Sequence, residues 1–211
     1  MFLIILQGLA WTIAITIVSF SFGAVLGIFI VAGRLSRFAL IRAISRIAIE
    51  LIRNVPPLVW LFIVYFGVAE LGPKLSPFSA AIVTFSVIAS VYLGEIYRGG
   101  YASLPKGQLE AAKSIGLNRA NIALRIVIPQ VFRTVSPSMV TYAIGLMKDS
   151  ALASTIGVVE MTFRANQITQ TTGQGLTAFT IVGLIYLLIS LPLGAWARHV
   201  DQRVRERYVV I

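Results

Sequence analysis

Long apolar stretches separated by short polar segments dominate this chain. The hydrocarbon core of a bilayer is about 30 Å thick, and a helix needs roughly 20 apolar residues to cross it. Five stretches of the sequence reach that length: residues 8–33, 51–70, 77–97, 134–158 and 176–197. The pattern predicts an all-α membrane protein with five transmembrane helices, folded as a single domain over residues 1–211.

Composition supports the membrane assignment and excludes other classes of protein. Hydrophobic residues make up 57% of the chain and charged residues only 12%, and the mean hydropathy is +0.87. These values lie far to the apolar side of ordinary soluble domains. The sequence contains no cysteine, so disulfide frameworks, thiol catalysis and cysteine-ligated metal sites are excluded.

Basic residues outnumber acidic ones by 18 to 8, which leaves a net charge of +10. Such an excess would also suit a nucleic-acid-binding protein. Most of it, however, lies in three segments, 34–53, 98–133 and 198–207, which hold five, six and four of the lysines and arginines. Basic segments that flank membrane helices stay on the cytoplasmic side, next to lipid headgroups. The charges therefore predict an extracytoplasmic N-terminus, a cytoplasmic C-terminus and no nucleic-acid partner.

Ser19, Gly23 and Gly27 recur at intervals of four residues in the first apolar stretch. Residues at this spacing share one helix face, and small residues let two helix backbones approach closely in a membrane. We expect this face to pack against another span.

A helical hairpin is predicted in the cytoplasmic loop, residues 101–129. Pro105 suits the first turn of a helix over residues 106–115, and Gly116 supplies a left-handed stop. Asn118 can cap a second helix, which Pro129 is expected to interrupt. Glu110 stands in the first limb beside two alanines. A hairpin of this kind has a suitable shape to insert into a groove on another protein.

Lys148 and Asp149 are neighbouring charges in the otherwise apolar fourth stretch. Each costs about 2.5–3.5 kcal/mol at the centre of a membrane helix, so both should face a polar environment. One hypothesis is that Asp149 lines a substrate path and attracts an ammonium group, with Ser150 and Tyr142 nearby in helical register. The alternative is that both charges brace a subunit interface or a gate.

Two acid–base pairs are spaced three residues apart, Glu50 with Arg53 and Glu95 with Arg98. Residues three apart on a helix are neighbours, so we expect two structural ion pairs. His199 is the single histidine and lies in the basic tail. No group of metal-binding residue types accompanies it, and the sequence predicts no metal site.

Several motifs resemble those of membrane permease subunits of type I ABC importers. Residues 110–116 and 126–129 are similar to the EAA loop of that family. Residues 50–59, 95–100 and 148–152 resemble signatures of its polar amino-acid branch, which includes histidine, glutamine and arginine uptake systems. The resemblance extends over nearly the whole chain.

The resemblance implies a transport subunit of a bacterial cytoplasmic (inner) membrane, with five spans, and not an enzyme. A second permease subunit, identical or homologous, would complete the path, and an extracytoplasmic binding protein would deliver the amino acid. Two cytoplasmic ATPase subunits would bind ATP and Mg, so this chain itself would hold no cofactor. The ATPases would dock on the hairpins, and the coupling residues implied by the family motif are Glu110, Ala111, Ala112, Gly116 and Pro129.

The substrate is less narrowly implied. Arginine-type permeases of this branch have polar or acidic residues where this chain has Ile88 and Tyr142, so the resemblance favours a polar or acidic amino acid, or a related amine or opine. An ion-gradient-driven secondary transporter would account for the spans and the intramembrane charges but not for the hairpin. An intramembrane enzyme would need a nucleophile, base or metal set that the predicted spans do not supply.

Overall fold

The computed structural model describes the backbone of residues 1–208 and the side chains of residues 1–105 and 107–202. The side chains of Lys106 and of the basic tail residues 203, 205 and 207 lie outside this part. Every regular element of the described part is helical. The helices are α1 (Phe2–Arg34), α2 (Ala39–Asn54), α3 (Pro57–Glu70), α4 (Pro77–Ala102), α5 (Lys106–Ser114), α6 (Ile128–Asp149), α7 (Met161–Thr172) and α8 (Gly175–Tyr208).

Three of the described helices, α1, α4 and α8, are individually long and apolar enough to cross a membrane. The pair α2 and α3 makes a fourth crossing if the two are taken together. The predicted stretch 134–158 falls on α6 and on the 3₁₀ turn Ser150–Ile156 that follows it. The number of five spans and their orientation stay predictions.

A sharp bend of 101° separates α2 from α3. Val55, between them, is extended with φ −100° and ψ 131°, because a residue that precedes proline avoids the helical region. Pro57 then occupies the first turn of α3, where its missing N–H costs nothing. The two consecutive prolines thus end one helix and begin the next in a new direction.

The main apolar core is organised around α4. Residues of α1, α3, α6 and the 3₁₀ turn pack on α4, and the buried members of this cluster include Ile15, Leu61, Phe85, Leu93 and Leu146. By contrast, large side chains on the outer faces of α1 and α8 are exposed, for example Phe29 and Leu188. Outward apolar faces are what a lipid-facing bundle requires, so α4 is the central helix of the subunit.

A second apolar cluster joins the two ends of the chain. It contains Ile5 from α1, Met161 and Ala165 from α7, and Val182 and Ile185 from α8. A Cβ atom at Gly8 would lie 2.5 Å from the backbone at residues 160 and 161. The first helix and the start of α7 are therefore in backbone contact.

The expected close packing of the first apolar stretch is confirmed. Ser19, Gly23 and Gly27 are buried, and a methyl group at Gly23 would overlap the Cβ of Ala89 in α4. A Cβ atom at Gly27 would lie 3.1 Å from the carbonyl oxygen of Ser90. Small residues on both helices thus set the short distance between α1 and α4.

The α1–α4 contact predicts a strong effect of Gly23→Leu. The added side chain must push α1 away from Ala89, and overpacking of this kind typically costs about 1–3 kcal/mol. Gly183→Leu is the matched control, because a Cβ atom at this position of α8 meets nothing within 4 Å. Thermal unfolding of both variants in detergent micelles measures the difference. Equal stability of the two variants would contradict the packing described here.

Candidate functional site

Arg53, Tyr92 and Tyr142 come together from three helices, α2, α4 and α6. The guanidinium carbon of Arg53, in the last turn of α2, lies 5.2 Å from the ring centroid of Tyr92 in α4. The rings of Tyr92 and Tyr142 are stacked, with centroids 5.3 Å apart and an angle of 20° between their planes. A cation over an aromatic face is attracted by the ring quadrupole. A basic group, two aromatic rings and two phenol hydroxyls thus form one polar surface.

Asp149 adds an acidic group near Tyr142. It ends α6, two turns after Tyr142, and is close enough for an electrostatic interaction with that residue. Lys148 and Asp149 are both exposed at the surface of the single subunit, and neither forms a salt bridge within the described residues. The combined set, which we call the polar cluster, consists of Arg53, Tyr92, Tyr142 and Asp149.

Ser150, predicted near the path, and Ile88, at a position where arginine-type permeases have a polar or acidic residue, are both buried. The hydroxyl of Ser150 donates to the carbonyl oxygen of Met147 at 2.7 Å, and the residue is fully buried. Ile88 is 5% exposed and packs in the α4 core. Ile88 is thus an apolar side chain behind the polar cluster, and Ser150 supports the end of α6.

Of the two expected ion pairs, the one between Glu95 and Arg98 is present, and it includes a third residue, Arg34. Glu95 accepts from Arg98 at 2.9 Å and from Arg34 of α1 at 3.1 Å. Glu50 and Arg53 form no ion pair in the described part of the chain, and both are exposed. Arg53 instead reaches across to Tyr92, because α2 ends just after it and leaves its side chain free to extend.

The hairpin has the predicted turn chemistry. Gly116 has a positive φ of 78°, and the N–H of the next residue, Leu117, donates to the carbonyl oxygen of Ala112 at 3.2 Å. The side chain of Asn118 accepts from the N–H of Asn121 at 2.8 Å, as expected of a helix cap. Left-handed backbone of this kind favours glycine, so Gly116 is the turning point of the hairpin.

The surface of the hairpin combines an acid with exposed apolar residues. Glu110 and Ala111 are exposed, whereas Ala112 is buried. Ile115 and Leu124 are 76% and 64% exposed. Both apolar side chains are thus accessible for contact with another protein.

The expected interruption at Pro129 is wrong. The second limb of the hairpin starts at Arg119 and continues through a π-helical segment, Ile122–Val127, into α6 without a break. Pro129 removes one backbone donor and its ring crowds the carbonyl four residues earlier. The wider π turn just before it relieves this crowding and keeps the chain helical. At 1.5 Å per residue, the helix from Arg119 to Asp149 is about 45 Å long.

Sequence reasoning missed Tyr92, Arg34 and Glu160. Tyr92 could have been identified as a candidate from the sequence, because it places a phenol inside an apolar span. Arg34 could not be assigned to Glu95, from which it is 61 residues distant in the chain. Pairings of this kind become visible only when helices are assembled.

Glu160 lies between the predicted spans and caps the N-terminus of α7. One carboxylate oxygen accepts from the N–H of Phe163 at 2.7 Å, while the other has no hydrogen-bond partner in the described part of the chain. Burial raises the pKa of Glu160 to about 7, although the hydrogen bond from the N–H of Phe163 acts in the opposite direction. The described residues contain no cluster of His, Cys, Asp and Glu that could hold a metal ion.

Sequence comparison identifies relatives over nearly the full chain. It is 34% identical to the L-cystine transport system permease protein TcyB of Bacillus subtilis, over 96% of this chain and 86% of that protein. It is also 34% identical to the arginine transport system permease protein ArtQ of the same organism, over 96% and 93% of the two chains. A probable amino-acid ABC transporter permease, YckA of Bacillus subtilis, is 36% identical over 97% and 90%.

Solved structures show the same fold. A chain from the crystal structure of an amino acid ABC transporter with histidines superposes with a TM-score of 0.87 at 28% identity, over 95% of this chain and 94% of that one. The fold also matches the MetNI methionine ABC transporter in an inward-facing conformation, with a TM-score of 0.76 at 21% identity over 95% and 96%. These similarities give no support to a secondary transporter.

The family model for inner membrane components of binding-protein-dependent transport systems matches residues 23–206. This range includes the bend after α2, the hairpin and the polar cluster. The chain is therefore a member of the family of binding-protein-dependent transport system inner membrane components.

Proposed function

We propose that this chain is the permease subunit of an ATP-driven ABC importer for a polar amino acid, or for a related amine or opine. The observation that carries the proposal is the unbroken helical run from Arg119 to Asp149. It connects a hairpin with an exposed contact surface to the polar cluster. A movement of the hairpin is thereby transmitted to the residues that would line the path.

The polar cluster suits a substrate that carries both charges. Arg53 lies over one face of the tyrosine stack and Asp149 lies near the other tyrosine, Tyr142. A carboxylate of the substrate would interact with Arg53 and an ammonium group with Asp149, while the two rings provide an apolar wall between them. Relatives named for transport of cystine, arginine and glutamine support an amino acid as the substrate.

Ile88 bears on the range of substrates through the family resemblance. Arginine-type permeases of this branch have polar or acidic residues at the positions of Ile88 and Tyr142, whereas in this chain an isoleucine packs in the apolar core together with Tyr92 and Tyr142. We therefore favour a polar or acidic amino acid over arginine.

The complete transporter would contain two permease subunits, two cytoplasmic ATPases and an extracytoplasmic binding protein. The permease would have five spans in a bacterial inner membrane, with its N-terminus outside and its C-terminus inside. The ATPases would bind ATP and Mg and carry out hydrolysis, whereas this chain would catalyse no reaction. Nucleotide binding would move the hairpins and favour one of two packings of the spans, which open the path to opposite sides.

Reconstitution tests the proposed function directly. The chain is placed in liposomes with its co-purifying ATPase and a binding protein, and uptake of single amino acids is measured with and without ATP. We expect one or a few amino acids to stimulate ATP hydrolysis and to accumulate only when ATP is present. Uptake that needs no ATPase and follows a proton or sodium gradient would overturn the proposal.

Asp149→Asn tests the substrate path. The substitution keeps the shape of the side chain and removes its charge, and a hydrogen bond to a charged group contributes about 1.5–3 kcal/mol. The substrate concentration for half-maximal uptake should therefore rise roughly ten- to a hundredfold. Glu70→Gln, at an exposed acid that ends α3, serves as the control and should leave this value unchanged. An unchanged concentration dependence in both variants would favour a structural role of Asp149.

Gly116→Val tests coupling through the hairpin. Valine is strongly disfavoured at a φ of 78°, so the turn must rearrange. Gly116→Asn is the matched variant, because asparagine tolerates left-handed backbone. We expect Gly116→Val to insert in the membrane but to lose ATP-driven uptake, while Gly116→Asn keeps most of it. If both variants transport like the unmodified protein, the hairpin is not the coupling element.

A further inference from the structure

An apolar cleft of about 440 Å³ opens between α1, α4 and the start of α6. Its lining is apolar except for two tyrosines, and the hydroxyl of Tyr97 is already used to donate to the carbonyl oxygen of Ala24 at 3.3 Å. The walls contributed by α1 and α6 include Ile28, Val31, Val131, Phe132 and Met139. The cleft therefore offers a bound molecule apolar contacts and almost no hydrogen bonds.

Arg34, Glu95 and Arg98 do not line this cleft, but they carry a net positive charge on the two helix ends where it stops. Leu35 and Tyr101 line it where α1 and α4 end, and the ion-paired group of Arg34, Glu95 and Arg98 belongs to the same two helix ends. Two guanidinium groups share one carboxylate, so the group carries one net positive charge. The side chain of Arg98 is still 38% exposed. An apolar slot that ends beside an accessible cation matches a molecule with an apolar tail and an anionic head.

We propose that this cleft binds one acyl chain of an anionic phospholipid from the leaflet on the side of the hairpin, with the phosphate beside Arg98. The cleft and the nearby arginine are complementary to such a lipid in shape and in charge. Arginine forms strong hydrogen bonds to phosphate oxygens, and tyrosines such as Tyr97 and Tyr101 are favoured at the interface between hydrocarbon and headgroups. The proposal depends on the membrane location of the chain and is independent of the substrate.

An acyl chain is narrow and can adapt to the apolar walls of the cleft, and the cation at the adjoining helix ends accounts for an anionic headgroup. The bound lipid would lie against α6, directly after the π-helical segment that leads to the hairpin.

Adjacent residues of α1 provide a matched pair of variants. Ile28 lines the cleft, whereas Phe29 does not and is 70% exposed on another face. Both variants, Ile28→Trp and Phe29→Trp, are purified in complex with the co-purifying ATPase. The complexes are incubated in micelles with equal amounts of palmitoyl-oleoyl phosphatidylglycerol and phosphatidylcholine, and bound lipid is counted by native mass spectrometry.

We expect one retained phosphatidylglycerol per chain in the unmodified complex. Ile28→Trp should lower this retention roughly tenfold, the effect of losing about two buried methylene groups from an apolar site, and Phe29→Trp should not lower it. Arg98→Gln should abolish the preference for phosphatidylglycerol, whereas Arg46→Gln, at an exposed arginine of α2, should preserve it. Thermal unfolding of each complex verifies that the variants are folded.

Three results would overturn the proposal. The first is equal lipid retention in the Ile28→Trp and Phe29→Trp complexes, and the second is equal retention of both lipids by the unmodified complex. The third uses the absence of cysteine from the chain. If Ile28→Cys forms a disulfide-linked permease dimer in membranes, a second copy of the chain occupies the cleft. None of these results affects the proposed transport function, which reconstitution tests separately.

Discussion

The bilayer interior supplies no water to an unpaired backbone group, and the architecture follows from this constraint. Every long apolar stretch is helical because a helix satisfies its own amides and carbonyls. The chain departs from α-helix only at a few positions. The bend after α2 occurs at consecutive prolines, and the 3₁₀ turn Ser150–Ile156 has buried residues packed in the core. The core thus supports the 3₁₀ turn, and at the bend the indole N–H of Trp60 donates to the carbonyl oxygen of Ile52 at 3.2 Å.

Close approach of α1 and α4 determines the position of the other helices. Glycine at positions 23 and 27 brings the backbones together, and the same two helices are joined at their ends by Arg34, Glu95 and Arg98. Apolar packing thus defines the distance between the helices, and the ion-paired group connects their ends on the hairpin side. With α4 held in this way, its tyrosine at position 92 is presented to α2 and α6.

The continuity of the helix from Arg119 to Asp149 explains how two distant features can act together. A hairpin on a flexible tether would move without effect on the spans, but a helix transmits displacement along its axis. Pro129 would ordinarily weaken such a connection. The π-helical segment before it accommodates the proline within the helix. In the proposed function, this motif residue of the hairpin would also be part of the helix that transmits its movement.

Much of this protein was determined by local sequence. Apolar stretches predict the helices, the Ser19–Gly23–Gly27 spacing predicts a packing face, and Gly116 with Asn118 predicts the turn of the hairpin, because each depends on residues close together in the chain. The unbroken passage through Pro129 was not predictable, since helix propensity alone favours a break there.

The composition of the polar cluster was decided by tertiary structure. Sequence alone identified Asp149 and Tyr142 as candidate site residues, since polar residues are conspicuous in an apolar span. It did not identify Arg53 and Tyr92 as their neighbours, because these two residues come from other helices. Arg53 was expected to pair with Glu50, with which it forms no ion pair within the described residues. Sequence thus determined the membrane environment and the local helices. Only the assembled bundle decided which polar side chains meet, because contacts between helices depend on the angle, depth and rotation at which they pack.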